Sequence, residues 1–495
     1  MIPVPRAAVT VLGAGVALGT LADLLLRATP WGANLVVWLA AVLGAGAALA
    51  RRWRVPVAPE TPWLALAALL LAADFARRDA PDLQALTLLG VLGILGIAAW
   101  GARGGAPRRE GLAAWLRGWA MAARDSAVGV LPLTLGDIRW TEPEASGRWR
   151  YVPAIGAGAL LAVPLLVVFG ALFSAADAVF AALLERVLRP ETLGPHVAVF
   201  LAATAVTAGY LRHALLGRSA AAEWQPPRAP TAFVPIVTAL TLVNALFLMF
   251  VAVQLRYLFG GAPLVQVTTG LTYAEYARRG FFELVAASAL VLPLLVAAEW
   301  AVREETASRR THFQRLAAML LLLVVVIVAS ALTRMRLYVA AFGLTTTRVY
   351  ATAGEVFLLG VFAWFAWTAL RGRHRRFAWG AFVSGLAVLG GLHALNPDAF
   401  VVRWNLSRPG RERAFDAPYA ASLGADAAPL LAAALPRFTP ADRCVIVDRL
   451  RAWGRIDADW RTWNLARSRA RRLAREHAAA WDALCPNPAR SPSGG

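Results

Sequence analysis

Runs of about twenty apolar residues recur along the first 400 positions of the chain, separated by short stretches that carry the charge. Each run is long enough to cross a hydrocarbon core of ~30 Å as a helix rising about 1.5 Å per residue. Eleven such spans are predicted, at 7–26, 32–50, 62–76, 82–101, 152–174, 195–216, 232–255, 281–300, 315–333, 352–370 and 377–394. The third is short and the fifth is able to run on into an interfacial helix, so the pattern also accommodates ten or twelve spans. The predicted fold class is an all-α polytopic transmembrane bundle.

Two regions break the pattern. In RREGLAAWLRGWAMAARD, between spans four and five, Leu112, Trp115, Leu116 and Trp119 fall at helical spacing with arginines between them. That is an amphipathic helix of the kind that lies in the membrane interface. From about residue 397 the charge density rises and no further span follows; APYAASLGADAAPLLAAAL, ADRCVIVDRLRAWG and DADWRTWNLARSRARRLAREHAAAWDAL each read as amphipathic helices. Together they predict a small helical extramembrane domain, too small to hold a deep core of its own. The N-terminus has one charge ahead of its apolar run and no A-x-A pattern, so it reads as a first span and not a removed signal. The organisation expected is a four-span region (1–101), a loop with the interfacial helix (102–151), a seven-span core (152–396) and a C-terminal helical domain (397–495).

Composition agrees. Charged residues make up 16% of the chain, against about 25% in a soluble domain, and the mean hydropathy is +0.56. All 50 basic residues are arginine and the formal charge is +20. Arginines flanking spans and meeting anionic headgroups account for that excess, and nucleic acid is set aside as a partner. The even-numbered loops hold roughly twice as many arginines as the odd ones, which puts those loops and the N-terminus in the cytoplasm. With eleven spans the C-terminus then lies outside. Both cysteines, Cys444 and Cys485, fall in the tail; a small domain in an oxidising compartment gains from joining them, so a disulfide is expected. Gly15, Gly19, Gly90, Gly93 and Gly96 read as small faces for close helix packing.

Catalytic signatures are missing: no H-E-x-x-H, C-x-x-C, G-x-S-x-G or Walker pattern occurs, and the six histidines are scattered, so neither metal nor cofactor is expected. His393 and Asp398 share the H-x4-D spacing of glycerolipid acyltransferases, but no second block accompanies them and chance accounts for the spacing. The concentrated polar chemistry lies at Gly270–Leu284, GLTYAEYARRGFFEL, and in neighbouring segments. On the topology above, Arg256, Tyr273, Tyr276, Arg278, Arg279, Glu283, Arg334, Arg336, Tyr338, Glu355 and Asp398, with Asn396 and Arg403, gather at the outer rim. Glu283 stands in the first turn of its span, where the helix dipole favours an anion, with Arg279, Arg256 or Arg336 as its partner. Such a cluster either locks the packing of spans seven to ten or holds an anionic headgroup or carboxylate.

The blocks QLRYLFGG (254–261), LTYAEYARRGFFEL (271–284), RMRLYVAAFGLTTTRVY (334–350), NPDAFVVRWNLSR (396–408) and DWRTWNLARSRAR resemble, in order, those of the domain of unknown function 4173 family, with the 4153 family as a relative. The resemblance spans about 150–480, leaves the first four spans as a more variable region, and implies a polytopic bacterial membrane protein with no assigned activity; the expected location is the inner membrane. Three functions fit these residues: a sensor or accessory protein that meets an envelope or membrane partner; a transporter of an anionic or lipidic solute; and a transferase acting on lipid-linked substrates. The bilayer itself, with anionic lipid, is the expected partner.

Overall fold

A computed structural model of the chain describes residues 4–138, 190–217, 233–269, 281–408, 415–455 and 459–486, with scattered positions between 162 and 180. Among the described residues every regular element is a helix. The long ones are α1 (Val4–Leu26), α2 (Ala33–Arg52), α3 (Thr61–Arg77), α4 (Pro81–Ala102), α5 (Leu112–Val128), α6 (Pro190–Leu216), α7 (Phe233–Thr269), α8 (Phe281–Val302), α9 (Ala307–Phe342), α10 (Thr346–Thr368) and α11 (Phe377–Leu395). Nine helices among the described residues are long and apolar enough to cross a membrane. Of the eleven predicted spans, the third is α3, whose 17 residues reach only ~26 Å, and 152–174 lies mostly outside the described residues.

The helices α9 and α10 outrun the apolar segments that predicted them. Their outer turns carry arginine and threonine, which hydropathy excludes but a headgroup region tolerates. The Thr345 hydroxyl caps α10 by accepting from the Arg348 amide, and Gly343, at φ +82°, ends α9 in a conformation that favours glycine. Elsewhere small residues set the approach. A Cβ on Gly19 would stand 2.0 Å from the Thr204 hydroxyl, so α1 and α6 meet backbone to side chain.

Successive spans alternate in direction. Connections 27–32, 78–80 and 343–345 and the end of α11 share one end of the bundle; connections 53–60, 103–111, 303–306 and 369–376 share the other. Exposed tryptophans mark both levels: Trp63 and Trp367 at the second end, Trp404, Trp460 and Trp463 at the first. Such amphipathic rings favour the headgroup level of a bilayer. The predicted interfacial helix is α5. Its Trp115 is buried against Trp100, Trp379 and Phe382, whereas Leu116 and Trp119 stay exposed. Asp125 of α5 binds His213 of α6 at 2.7 Å and fixes the helix against the bundle.

After α11 the chain forms α12 (Pro397–Ser407), α13 (Ala417–Ser422), α14 (Ala428–Ala434), α15 (Pro440–Gly454), α16 (Leu465–Glu476) and α17 (Ala478–Leu484). Their apolar centre, with Leu431, Ile446, Leu450 and Trp481, is continuous with Leu83, Leu389 and Leu392 of the bundle. A region too small for its own core shares one with the spans. Cys444 and Cys485 stand at disulfide geometry, Cα to Cα 5.5 Å, and tie α15 to the end of α17.

Candidate functional site

The first and last turns of a helix leave backbone groups without intrahelical partners. At the shared end of the bundle, the C-terminal helices supply those partners. The first amides of α2, Ala33 and Asn34, donate to the carbonyls of Trp463 and Arg461, both at 2.9 Å. Asn464 caps α16 by accepting from the Arg467 amide at 3.1 Å. Its own amide donates to the Phe75 and Arg78 carbonyls at the end of α3, both at 2.7 Å. Arg467, 5% exposed, donates to Asp79 at 2.9 Å and to the carbonyls of Pro30, Trp31 and Thr462 at 3.2, 3.1 and 2.8 Å. Only a guanidinium has enough donors in a fixed fork to hold three connections at once. Burial lowers its pKa, and the Asp79 carboxylate opposes that shift.

A second layer joins α11, α12 and the segment before α14. The Asp79 amide donates to Asp426 at 2.7 Å; Arg78 and Asn396 donate to the other Asp426 oxygen at 3.1 and 3.2 Å. Ala425 returns a bond to Asp79 at 3.2 Å. Asp398, 4% exposed in the first turn of α12, accepts from the Gly424 amide at 2.8 Å. Burial pushes its carboxyl up to about 6; the Gly424 N–H pulls the other way, and Asp426, Asp79 and Asp82 add to the rise. Gly424 touches the 78–80 connection so closely that a Cβ would stand 1.7 Å from the Asp79 carbonyl oxygen.

His393 does not complete an acid–base pair with Asp398. Its Nε2 lies 2.8 Å from the Thr87 hydroxyl and its Nδ1 3.3 Å from Asp74; among the described residues no bond joins it to Asp398. The H-x4-D spacing is not assembled as a site.

The other sequence-predicted residues divide. Tyr273, Tyr276, Arg278, Arg279 and the side chain of Arg256 lie outside the described residues. Glu283, in the first turn of α8, is exposed, and no ion pair joins it to Arg334 or Arg336 among the described residues. Arg336 and Arg403 are exposed. Tyr338 stacks beneath the Arg348 guanidinium at 4.0 Å and against Phe342 at 5.0 Å. Arg334 and Glu355 lie further from their helix ends than the apolar runs predict. Because α9 and α10 extend past the apolar runs, both residues stand ~12–14 Å from the connecting turn, at similar depth on adjacent helices. Arg334, 7% exposed, donates to Gln254 at 2.7 Å. Glu355 has no exposed surface, and among the described residues neither carboxylate oxygen has a hydrogen-bond partner.

Arg78, Asp79, Asp426, Asn464 and Arg467 were not singled out from the sequence. Asn464, placed just before a helical run, carried a capping signal. Its pairing with Phe75 and Arg78, nearly 400 positions earlier, leaves no local pattern. Among the described residues no group of three or more His, Cys, Asp or Glu side chains is placed to hold a metal ion.

These features define a polytopic helical membrane protein whose C-terminal helices are joined to the ends of its spans by a buried polar junction. The chain belongs to the family described as Domain of unknown function (DUF4153), which matches residues 65–434. This corrects the expected 4173 assignment: the relative named beside it is the family shown. The match begins within α3 and so takes in part of the four-span region read as variable. It stops at the end of α14, short of Asn464 and Arg467. No curated protein and no solved structure matches the chain.

Proposed function

We propose that this chain is a sensor or accessory protein of the bacterial inner membrane, its N-terminus cytoplasmic and its C-terminal helices extracytoplasmic. The observation that carries this reading is the grip of Arg467 on Asp79, Pro30 and Trp31. Through it, one buried side chain couples the water-facing helices to the ends of α1 to α4. A partner that pulls on the C-terminal helices therefore acts on four spans at once. Sidedness is supported by the arginine bias of the loops and by the disulfide geometry of Cys444 and Cys485, which suits an oxidising compartment. Arg469, Arg472 and Arg475 form an exposed stripe on α16 that fits an acidic envelope partner or anionic headgroups.

One observation favours transport as a second reading. Glu355 is a carboxylate inside a span with no hydrogen-bond partner among the described residues, and intramembrane acids cost roughly 2.5–3.5 kcal/mol on insertion scales. Proteoliposomes carrying a pH gradient separate the two readings. The accessory reading expects the gradient to decay equally with wild type, Glu355→Gln and empty vesicles. Faster decay that disappears in Glu355→Gln would replace it with proton-coupled transport.

A further inference from the structure

At the bundle end opposite the C-terminal helices, a cavity of about 910 Å³ opens between α5 and the spans α8, α10 and α11. Its inner part is apolar, with Leu292 and Val296 of α8 and Phe357 and Val361 of α10. Its charge lies at the loop end. Arg117, Arg303 and Arg375 line that end with Glu110, Glu299 and His374, and Glu299 lies 3.5 Å from the His374 ring. Along α8 the lining runs from Leu292 to Arg303, eleven residues or ~16 Å. That length matches half of a ~30 Å hydrocarbon core, the depth of one leaflet.

We infer that this cavity holds one anionic phospholipid, its phosphate at Arg303 and Arg375 and an acyl chain reaching inward to Leu292 and Phe357. The charge balance selects the headgroup: around His374, among the described residues, the guanidiniums of Arg303, Arg310 and Arg375 outnumber the carboxylates of Glu299 and Glu304, the latter 3.6 Å from Arg303. A net positive mouth favours a phosphate without a compensating ammonium. The apolar interior selects the chain, because an acyl chain laid against this lining gains dispersion contacts along its whole length. The volume lies within the range of built ligand sites. The exposed Leu116 and Trp119 of α5 put the mouth beside the lipid headgroup level, so the ligand has a route in from the bilayer. This site is independent of the accessory reading, which rests on the other end of the molecule.

The test uses the full chain, purified in detergent and examined by native mass spectrometry and thermal melting. The probes are phosphatidylglycerol, phosphatidylcholine with the same acyl chains, and inorganic phosphate. One phosphatidylglycerol should remain bound per chain and raise the melting temperature; phosphatidylcholine and phosphate should do neither. Arg303→Ala/Arg375→Ala should weaken retention roughly tenfold or more, and Arg303→Lys/Arg375→Lys should keep most of it. Ala297→Trp, which fills the lining, should abolish retention with the arginines in place. If the alanine pair fails to fold, the lysine pair and Ala297→Trp decide. Equal retention of phosphatidylcholine, or retention that survives Ala297→Trp, would mean surface lipid only and overturn the inference. A response to inorganic phosphate alone would reassign the mouth to a free anion and overturn the lipid.

Discussion

Replacing Gly424 with alanine should loosen the C-terminal helices from the bundle. The backbone there, at φ −68° and ψ 176°, is open to any residue, so the cost is steric and not conformational. The new Cβ would stand 1.7 Å from the Asp79 carbonyl oxygen and 2.8 Å from the Asp398 carboxylate. Carbon and oxygen rest at about 3.3–3.6 Å, so the two backbones must part by about 1.5 Å. A shift of that size stretches the 2.8 Å bond from Gly424 to Asp398 and the 2.7 Å bond from Asp79 to Asp426 beyond hydrogen-bond range. Bonds to charged acceptors contribute about 1.5–3 kcal/mol each, and partial relaxation leaves a net loss on the order of 3 kcal/mol. Gly354→Ala is the control: nothing lies within 4 Å of its Cβ, and in a helix interior alanine gains up to ~1 kcal/mol. Thermal melting and limited proteolysis in nanodiscs read both. Gly424→Ala should melt earlier and release C-terminal fragments first. An unchanged melt and cleavage pattern would refute the close-contact argument.

Asp398 makes the junction pH-dependent. Its carboxyl titrates near 3.8 when free and about 6 when docked, so below pH ~4 both states are protonated and the docked state carries no penalty. Between ~4 and ~6 docking weakens, and above ~6 the full penalty of about 3 kcal/mol applies. Melting should therefore fall as pH rises through that window, and Asp398→Asn should flatten the profile. Asp79→Asn should cost about 3–5 kcal/mol by leaving Arg467 buried without its counter-ion, and adding Arg467→Gln should restore part of that; a strictly additive double-mutant cycle would contradict the pairing. Cys444→Ser should lower stability by ~2–4 kcal/mol, and both thiols should resist alkylation until a reductant is added. A C-terminal fusion reporter should signal the extracytoplasmic side, whereas a cytoplasmic signal would reverse the proposed orientation.

The bundle was legible because a bilayer span leaves a long, one-dimensional signature: an apolar run of the right length between charged connections. The tail's helices were legible for a similar reason, since amphipathic spacing is local. The depth of Arg334 and Glu355 was not. An apolar window ends at the first arginine or threonine, but the helix does not, and each residue lies about two turns further from its helix end than that window implies. The junction was hidden for a different reason. Asn464, Arg467, Asp426 and Gly424 act on Phe75, Arg78 and Asp79 across more than 300 positions, and side chains that satisfy another segment's backbone impose no periodicity on their own. A glycine at Gly424 looks like an ordinary loop residue until the Asp79 carbonyl beside it is seen.

Docking of the C-terminal helices onto the span ends is tested most directly by hydrogen exchange at the amides of Ala33 and Asn34 in bilayer-embedded protein. These begin α2, where no intrahelical acceptor exists, and their partners are the carbonyls of Trp463 and Arg461. Slow exchange at both, becoming fast in Asn464→Ala/Arg467→Ala while the middle of α2 stays protected, is the predicted result. Fast exchange in the wild type, or slow exchange that survives the double substitution, would contradict it.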